Sequence, residues 1–179
     1  MFSRSNEKRV SLRGYRYAEE MRLGGTTGVP DDGDITQLHG HGIIAGYGVP
    51  GRAVAEWLKS HGIPYVVIEA NEKIVNRCVK TGVRMLYGDV RNEQMLRNAG
   101  IEHASLFAVA VPAEAASLEA VALARRLNPN VRIIARCTYI SGGLEATRRG
   151  AEETIVAEEV VASEFVRRLQ AHPVPADAK

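Results

Sequence analysis

The chain has 179 residues, of which 45% are apolar, 25% charged and 6% aromatic, with a formal net charge of +2. That length suits one domain, or one domain plus a tail, and lets the chain bury roughly two-thirds of its unfolded surface without disulfides or metal. The composition excludes a disordered chain, a coiled coil, a collagen and a disulfide scaffold, and so small a charge argues against a nucleic-acid binder.

Residues 1–39 differ from the rest. Arg4, Lys8, Arg9, Arg13 and Arg16 precede a glycine cluster, and Asp31, Asp32 and Asp34 close the stretch. Weak hydrophobic periodicity makes this a tail or linker. The sharper alternative is a basic arm that approaches an anionic membrane surface or an acidic partner.

From residue 40 to 170, short apolar runs alternate with segments of helical length. The runs are Ile43–Ala45 (a strand from His41), Val66–Ile68, Met85–Tyr87, Leu106–Val111, Val131–Ala135 and Ile155–Ala157. They are continuous, as expected of strands covered on both faces. The intervening helices are expected over Gly51–His61, Glu72–Thr81, Asn92–Ala99, Ala113–Leu127, Leu144–Arg149 and Glu159–Leu169. Gly62, Gly82 and Gly100 stand where helices stop, and Asn128-Pro129 ends the fourth. The fifth helix is the weakest, because Gly142-Gly143 stands at its start. Six strand units alternating with helices predict an α/β domain, a Rossmann-like doubly wound parallel six-stranded sheet with helices on both faces. Residues 171–179 form a C-terminal tail.

Gly46-Tyr47-Gly48-Val49-Pro50-Gly51 matches GxGxxG, follows the first strand and opens the first helix, which continues through Arg52. Gly46 makes the tight turn, Gly48 lets the backbone approach a pyrophosphate, and Gly51 lets helix and strand pack closely. The helix N-terminus offers free N–H groups to phosphates, and Pro50 suits its first turn. Glu69 ends the second strand eighteen residues past Gly51 and precedes Ala70. A carboxylate there accepts hydrogen bonds from ribose hydroxyls and repels the 2′-phosphate of NADP. Asp89, followed by Val90, reaches an adenine or caps the next helix. Val111 walls the pocket at the fourth strand's end. Arg136, ending the fifth, meets a phosphate or pairs with Glu114 or Glu69.

Several things are missing from the sequence. No GxSxG, P-loop or HExxH occurs, and no catalytic base is evident, so no catalytic residue is assigned. His39 and His41 are the only close histidine pair and have no cysteine beside them, so no metal site is expected. Cys78 and Cys137 form no CxxC pair and are expected as buried thiols of a reducing compartment. The longest uncharged stretch, Ile35 to Gly51, holds two histidines, a proline and five glycines. A spanning helix needs about twenty predominantly apolar residues. There is no apolar core of a secretory signal either. The expected location is cytoplasmic, with no direct membrane span.

These residues resemble a known family. His41-Gly42-Ile43-Ile44-Ala45-Gly46-Tyr47-Gly48, Tyr65-Val66-Val67-Ile68-Glu69-Ala70-Asn71, Tyr87-Gly88-Asp89-Val90 and Ile133-Ile134-Ala135-Arg136 look like the RCK N-terminal lobe, or TrkA-N domain. The likeness covers about residues 39 to 170 and is nearest to the domain attached to potassium–proton antiporters of the Kef type. It implies a regulatory domain that binds NAD(H) or AMP/ADP and gates a membrane-embedded potassium channel or antiporter subunit. It also implies a homodimer, formed through the last crossover helix, or a larger ring. By match of motif, Gly46, Gly48, Gly51, Glu69 and Asp89 take the ligand roles, with Arg136 as a phosphate or interface group. Such a domain sits at the inner face of the plasma membrane through its partner. Two departures stand out. Val49 replaces a basic residue common after the second glycine, which disfavours ATP. The second lobe of two-lobed regulators is absent, so the chain is read as a stand-alone subunit or a piece of a larger protein beginning in a membrane domain. The competing reading is an NAD-dependent oxidoreductase subunit lacking its own substrate domain, and a third is a redox sensor using Cys78 or Cys137.

Overall fold

Six segments of three to six residues form one parallel sheet: β1 Gly42–Ala45, β2 Tyr65–Glu69, β3 Met85–Tyr87, β4 Leu106–Val109, β5 Arg132–Cys137 and β6 Glu153–Val156. Their order is β3-β2-β1-β4-β5-β6, which reverses between β1 and β4. The structure, a computed structural model, describes Ile35 and residues 38–172. The basic stretch and aspartates expected in the N-terminal tail, and residues 173–179, lie outside the described residues.

Between the strands run α1 Val49–Ser60, α2 Glu72–Cys78, α3 Glu93–Asn98, α4 Glu114–Leu127 and α5 Ile140–Arg148, and α6 Ala157–Ala171 follows β6. Alternate strand residues enter two cores, as a pleated sheet requires. Ile43, Val66, Phe107 and Ile133 pack with Leu96, Ala120, Val121 and Ala146 on the face covered by α3, α4 and α5. Ile44 and Val67 pack with Ala55, Leu58 and Val75 on the face covered by α1 and α2. The predicted doubly wound sheet is present.

Several boundaries differ from the sequence reading, each for a physical reason. The fourth strand ends at Val109, short of Val111, although Ala110 N–H still donates to Ala45 O at 2.8 Å. Pro112 has no N–H with which to continue the ladder. The helix expected through Thr81 stops at Cys78 and tightens into a 3-10 turn over Val79–Thr81 before Gly82. The last strand is Glu153–Val156, and Ala157 already belongs to α6.

The largest departure concerns α5. It begins at Ile140 and runs straight through Gly142 and Gly143, where propensity alone argues against a helix. Neighbours crowd both glycines. A Cβ on Gly142 would lie 2.5 and 2.6 Å from the Glu114 carboxylate oxygens, and one on Gly143 would lie 3.0 Å from Val156 Cγ2. Tertiary packing overrides propensity here.

Asn71 accepts a hydrogen bond from Lys73 N–H at the start of α2, and Asn92 does the same for Gln94 and Met95 at α3. At the opposite edge of the sheet, Gly40 N–H donates to His103 O at 2.8 Å and Ser105 Oγ donates to Gly40 O at 2.7 Å. These bonds anchor the segment that enters β1. His41 follows it and is fully buried. Its Nε2 lies 2.9 Å from Ala99 O, while Nδ1 has no partner among the described residues.

Burial holds the His41 imidazole below its ordinary pKa of 6.5, opposed by the Ala99 bond and reinforced by His103, His39 and Arg84. The unfolded chain therefore takes up this proton more readily than the folded one. The stability contributed by neutral His41 is present above pH 6.5 and is lost as pH falls through the lower folded value. Denaturant titrations between pH 7.5 and pH 5 should show the wild type weakening as acid is added. His41→Leu should flatten that dependence, and an unchanged profile in the variant would assign the acid sensitivity elsewhere.

Candidate functional site

The site is built around the turn joining β1 to α1. Gly46 has φ +89 and packs against the end of β4, where an added Cβ would lie 3.2 Å from both Val111 N and Val111 Cγ1. Gly51 is buried against the same turn. A Cβ there would overlap Gly46 O and lie 3.0 Å from the Gly46 carbonyl carbon. These two glycines are demanded by the chain itself.

Gly48 is different. It is exposed, its φ of −70 is open to any residue, and a Cβ would meet nothing closer than Pro50 Cδ at 3.9 Å. Nothing among the described residues requires glycine there, whereas a group laid against the backbone would. Gly48 is also the N-cap of α1, supplies no side-chain cap, and is followed by no acid in the first turn. Pro50 stands at the helix start, and Arg52 N–H donates to Gly48 O at 3.0 Å. The positive end of α1 is thus left open to an anion.

Glu69 closes the other side of the turn. Its Oε2 accepts Tyr47 N–H at 2.7 Å and its Oε1 accepts Asn71 N–H at 2.8 Å. The carboxylate is therefore oriented before any ligand arrives and retains free lone pairs. Ala70 beside it is exposed. The Tyr47 side chain turns into the α1/α2 core, and burial, then Tyr65, raises its pKa. Asn71, which both caps α2 and steadies Glu69, was not singled out as a site residue; its signal was the Asn at a helix start two residues past the acid.

The other expected residues scatter more widely. Gly88 N–H donates to Glu69 O at 3.0 Å, which places Asp89 beside Glu69 at the end of β3. Asp89 does not cap α3, as one sequence reading had it, because Asn92 takes that position. It pairs with Arg91 at 2.6 Å, which holds its carboxyl below the ordinary carboxylate range. The pair is half exposed and therefore weak, so it is easily exchanged for another contact. The Val90 side chain is buried in the core. Val49 is 74% exposed at the mouth of the turn.

Arg136 lies beyond β4 and pairs with neither suggested acid. Its Nη1–H donates to Pro112 O at 3.4 Å. Glu69 is engaged as described, and Glu114 accepts Thr138 N–H at 2.9 Å and Tyr139 N–H at 3.3 Å. Of the two cysteines expected to be buried, Cys137 is and Cys78 is only half-buried. Burial pushes the Cys137 thiol up, with Glu114 adding to the effect, so Arg136 does not make it a thiolate. Among the described residues no cluster of three or more His, Cys, Asp or Glu is arranged to hold a metal ion, and no helix is long and apolar enough to cross a membrane.

Comparison with known proteins bears on this geometry. The TrkA-N domain model matches residues 42–157, from the first residue of β1 to the start of α6. The chain belongs to the TrkA-N domain family. Over 133 residues it is 33% identical to the putative cation/proton antiporter YbaL of Escherichia coli, covering 74% of this chain and 24% of that protein. Over 158 residues it is 30% identical to potassium channel protein 1 of Methanocaldococcus jannaschii, covering 76% of this chain and 45% of the relative. The chain thus spans less than half of either relative. The crystal structure of the YbaL TrkA-N domain superposes with a TM-score of 0.71 at 32% identity, over 74% of this chain and 98% of that one. Two more distant structures share the fold. One is the Shewanella denitrificans Kef C-terminal domain in its AMP-bound form, with TM-score 0.62, 24% identity and coverage of 75% of this chain and 82% of that one. The other is the GsuK channel bound to NAD, with TM-score 0.65, 21% identity and coverage of 82% and 26%.

The two kinds of glycine in the TrkA-N turn should separate in mutagenesis. Gly51→Ala forces Gly46 and α1 apart and should cost about 1–3 kcal/mol of stability, the usual range for overpacking. Gly48→Ala should stay within about 1 kcal/mol, since only the N-cap preference changes. Equal losses in paired denaturant titrations would contradict this division.

Proposed function

We propose that residues 40–170 form a cytoplasmic nucleotide-sensing regulatory domain that responds to NAD(H) or AMP/ADP and gates a membrane-embedded potassium channel or potassium–proton antiporter. The observation that carries this reading is the open N-terminus of α1 beside a pre-oriented Glu69, in a chain of the TrkA-N family. Phosphates seat on the amides of the Gly46–Gly51 turn, the ribose hydroxyls meet Glu69, and Asp89 lies at the adenine side. Val111 walls the pocket, and Arg136 serves a phosphate from the far side of β4. The AMP-bound Kef domain and NAD-bound GsuK support the ligand class. The antiporter and channel relatives support the partner class. The bound nucleotide acts by stabilising one conformation over another and is recovered unchanged.

The assembly reading rests on α6. None of its residues is buried, and Val160, Val161, Phe165, Val166 and Leu169 are all exposed, Phe165 by 67%. Ile140 and Leu144 of α5 and Ile155 of β6 are exposed as well. So large an apolar exposure marks a partner surface, and a second copy presenting the same helix is the occupant that satisfies it symmetrically. Gating then follows if nucleotide changes how the two copies meet.

Glu69→Ala should weaken AMP or NAD by about 1–3 kcal/mol, the value of hydrogen bonds to a charged group. Calorimetry is the check, with near-ultraviolet dichroism confirming that the Tyr47 and Asn71 amides have not let the turn collapse. NADP should bind more weakly than NAD, and a tighter NADP constant would remove Glu69 from the ribose site. Steady consumption of NADH would favour the oxidoreductase reading.

Phe165→Asp should convert a dimer into folded monomers, read by light scattering with circular dichroism alongside. A wild type that is monomeric at high concentration would leave the exposed helix without its proposed role.

A further inference from the structure

The helices that begin at the carboxyl edge of the sheet differ in how their free N–H groups are met. α2 and α3 carry their own asparagine caps. α5 has no side-chain cap at Tyr139. Its first amides are instead reached from another helix, by Glu114 at the first position of α4. α4 and α6 have no side-chain cap either, but each carries an acid in its first turn, whereas α1 has neither cap nor acid. The chain therefore supplies its own anion on the β4–β5 side of the switch point and leaves the β1 side for a ligand.

Glu114 is held firmly in that position. Two backbone N–H groups donate to its Oε2, and the carboxylate fills the hollow left by the missing side chain of Gly142. It begins α4 three residues after Val111, whose backbone and side chain line Gly46. Arg136 stands near the end of β5 on the same edge, and among the described residues its side chain hydrogen-bonds the Pro112 carbonyl at 3.4 Å. Both charges lie close enough to Cys137 to act on its thiol with opposite sign, on top of the effect of burial.

From this arrangement we infer that Glu114 is a specificity residue that limits the number of phosphates the site accepts. The inference rests on the nucleotide reading above. With the ribose at Glu69, on the β2 side, a phosphate chain passes the α1 N-terminus and lengthens toward β4. The first phosphate gains the open helix end. Each further phosphate adds negative charge in a region where Glu114 cancels the attraction of Arg136. Glu114 thereby biases the site toward AMP over ATP, independently of the uncharged Val49. The same carboxylate holds the first turn of α5, so its charge serves both helix capping and ligand selection.

The test is a calorimetric series of AMP, ADP and ATP against the wild-type chain and Glu114→Gln. The amide is isosteric and its oxygen still accepts Thr138 N–H, so the fold is kept. The ratio of ATP to AMP affinity should rise about tenfold in Glu114→Gln, as expected when a like charge facing the ligand is removed. AMP affinity should change by less than about twofold, because AMP ends at the helix that Glu114 does not touch. Arg136→Gln should move the ratio the opposite way. Raising the salt concentration should shrink the gain of ATP over AMP in Glu114→Gln, where Arg136 is unopposed, and change the wild-type ratio less. An unchanged ratio with AMP still binding would overturn the Glu114 assignment alone. Failure of AMP, ADP and NAD to bind the wild type would overturn the nucleotide reading, and this inference with it.

Discussion

The close approach of Gly51 to the Gly46 carbonyl is the constraint on which the site depends. No side chain fits between them, so α1 starts against the end of β1 and its amides converge on one point. A bulkier residue at either position would push the helix outward and disperse those amides. Val111, just past the end of β4, packs onto Gly46 as well, which ties the turn to the far half of the sheet. The site is thus a product of main-chain geometry, and only then of the side chains around it.

Glu69 extends that geometry across β2. By accepting Tyr47 N–H it ties the second strand to the turn, and by accepting Asn71 N–H it ties the turn to α2. A carboxylate so held loses little further freedom when it accepts a ribose hydroxyl, which is the physical content of preorganisation. Asp89 contrasts with it. Its partner Arg91 is two residues away and half exposed, so that pair is local and easily exchanged. The two acids stand side by side at adjacent strand ends and are suited to different tasks, one fixed and one adaptable.

The far half of the cleft is balanced differently. Glu114 and Arg136 stand on one edge with opposite charge, and Glu114 is committed to the amides of α5. That helix carries part of the exposed apolar surface and leads through β6 into α6, which buries nothing of its own. The elements around the cleft are therefore contiguous with the face proposed to meet a second copy. Contiguity alone is a spatial relation, and coupling requires that the ligand favour one of two arrangements of that face.

The alternation of six apolar runs with helical stretches was legible in the residue order, and so was the glycine turn with Glu69 at its proper distance. Such signals are local: each needs only the neighbours within one strand or one helix turn. The contacts between distant residues were not legible. Gly142-Gly143 reads as a break, and only the Glu114 side chain, 24 residues away along the chain from Thr138, and Val156 on the next strand explain why a helix passes through. Asp89 looks like a helix cap until Asn92 is seen to hold that place. His41 reads as one of a close histidine pair at the start of a strand, and only the fold buries it beside Ala99, 58 residues on. The sequence by itself determined the sheet, the turn and the acid that faces it, because periodicity and backbone sterics decide those. The partner of each remaining charge, the burial of His41 and the bareness of α6 were decided only by the tertiary structure, because they depend on which strands lie side by side.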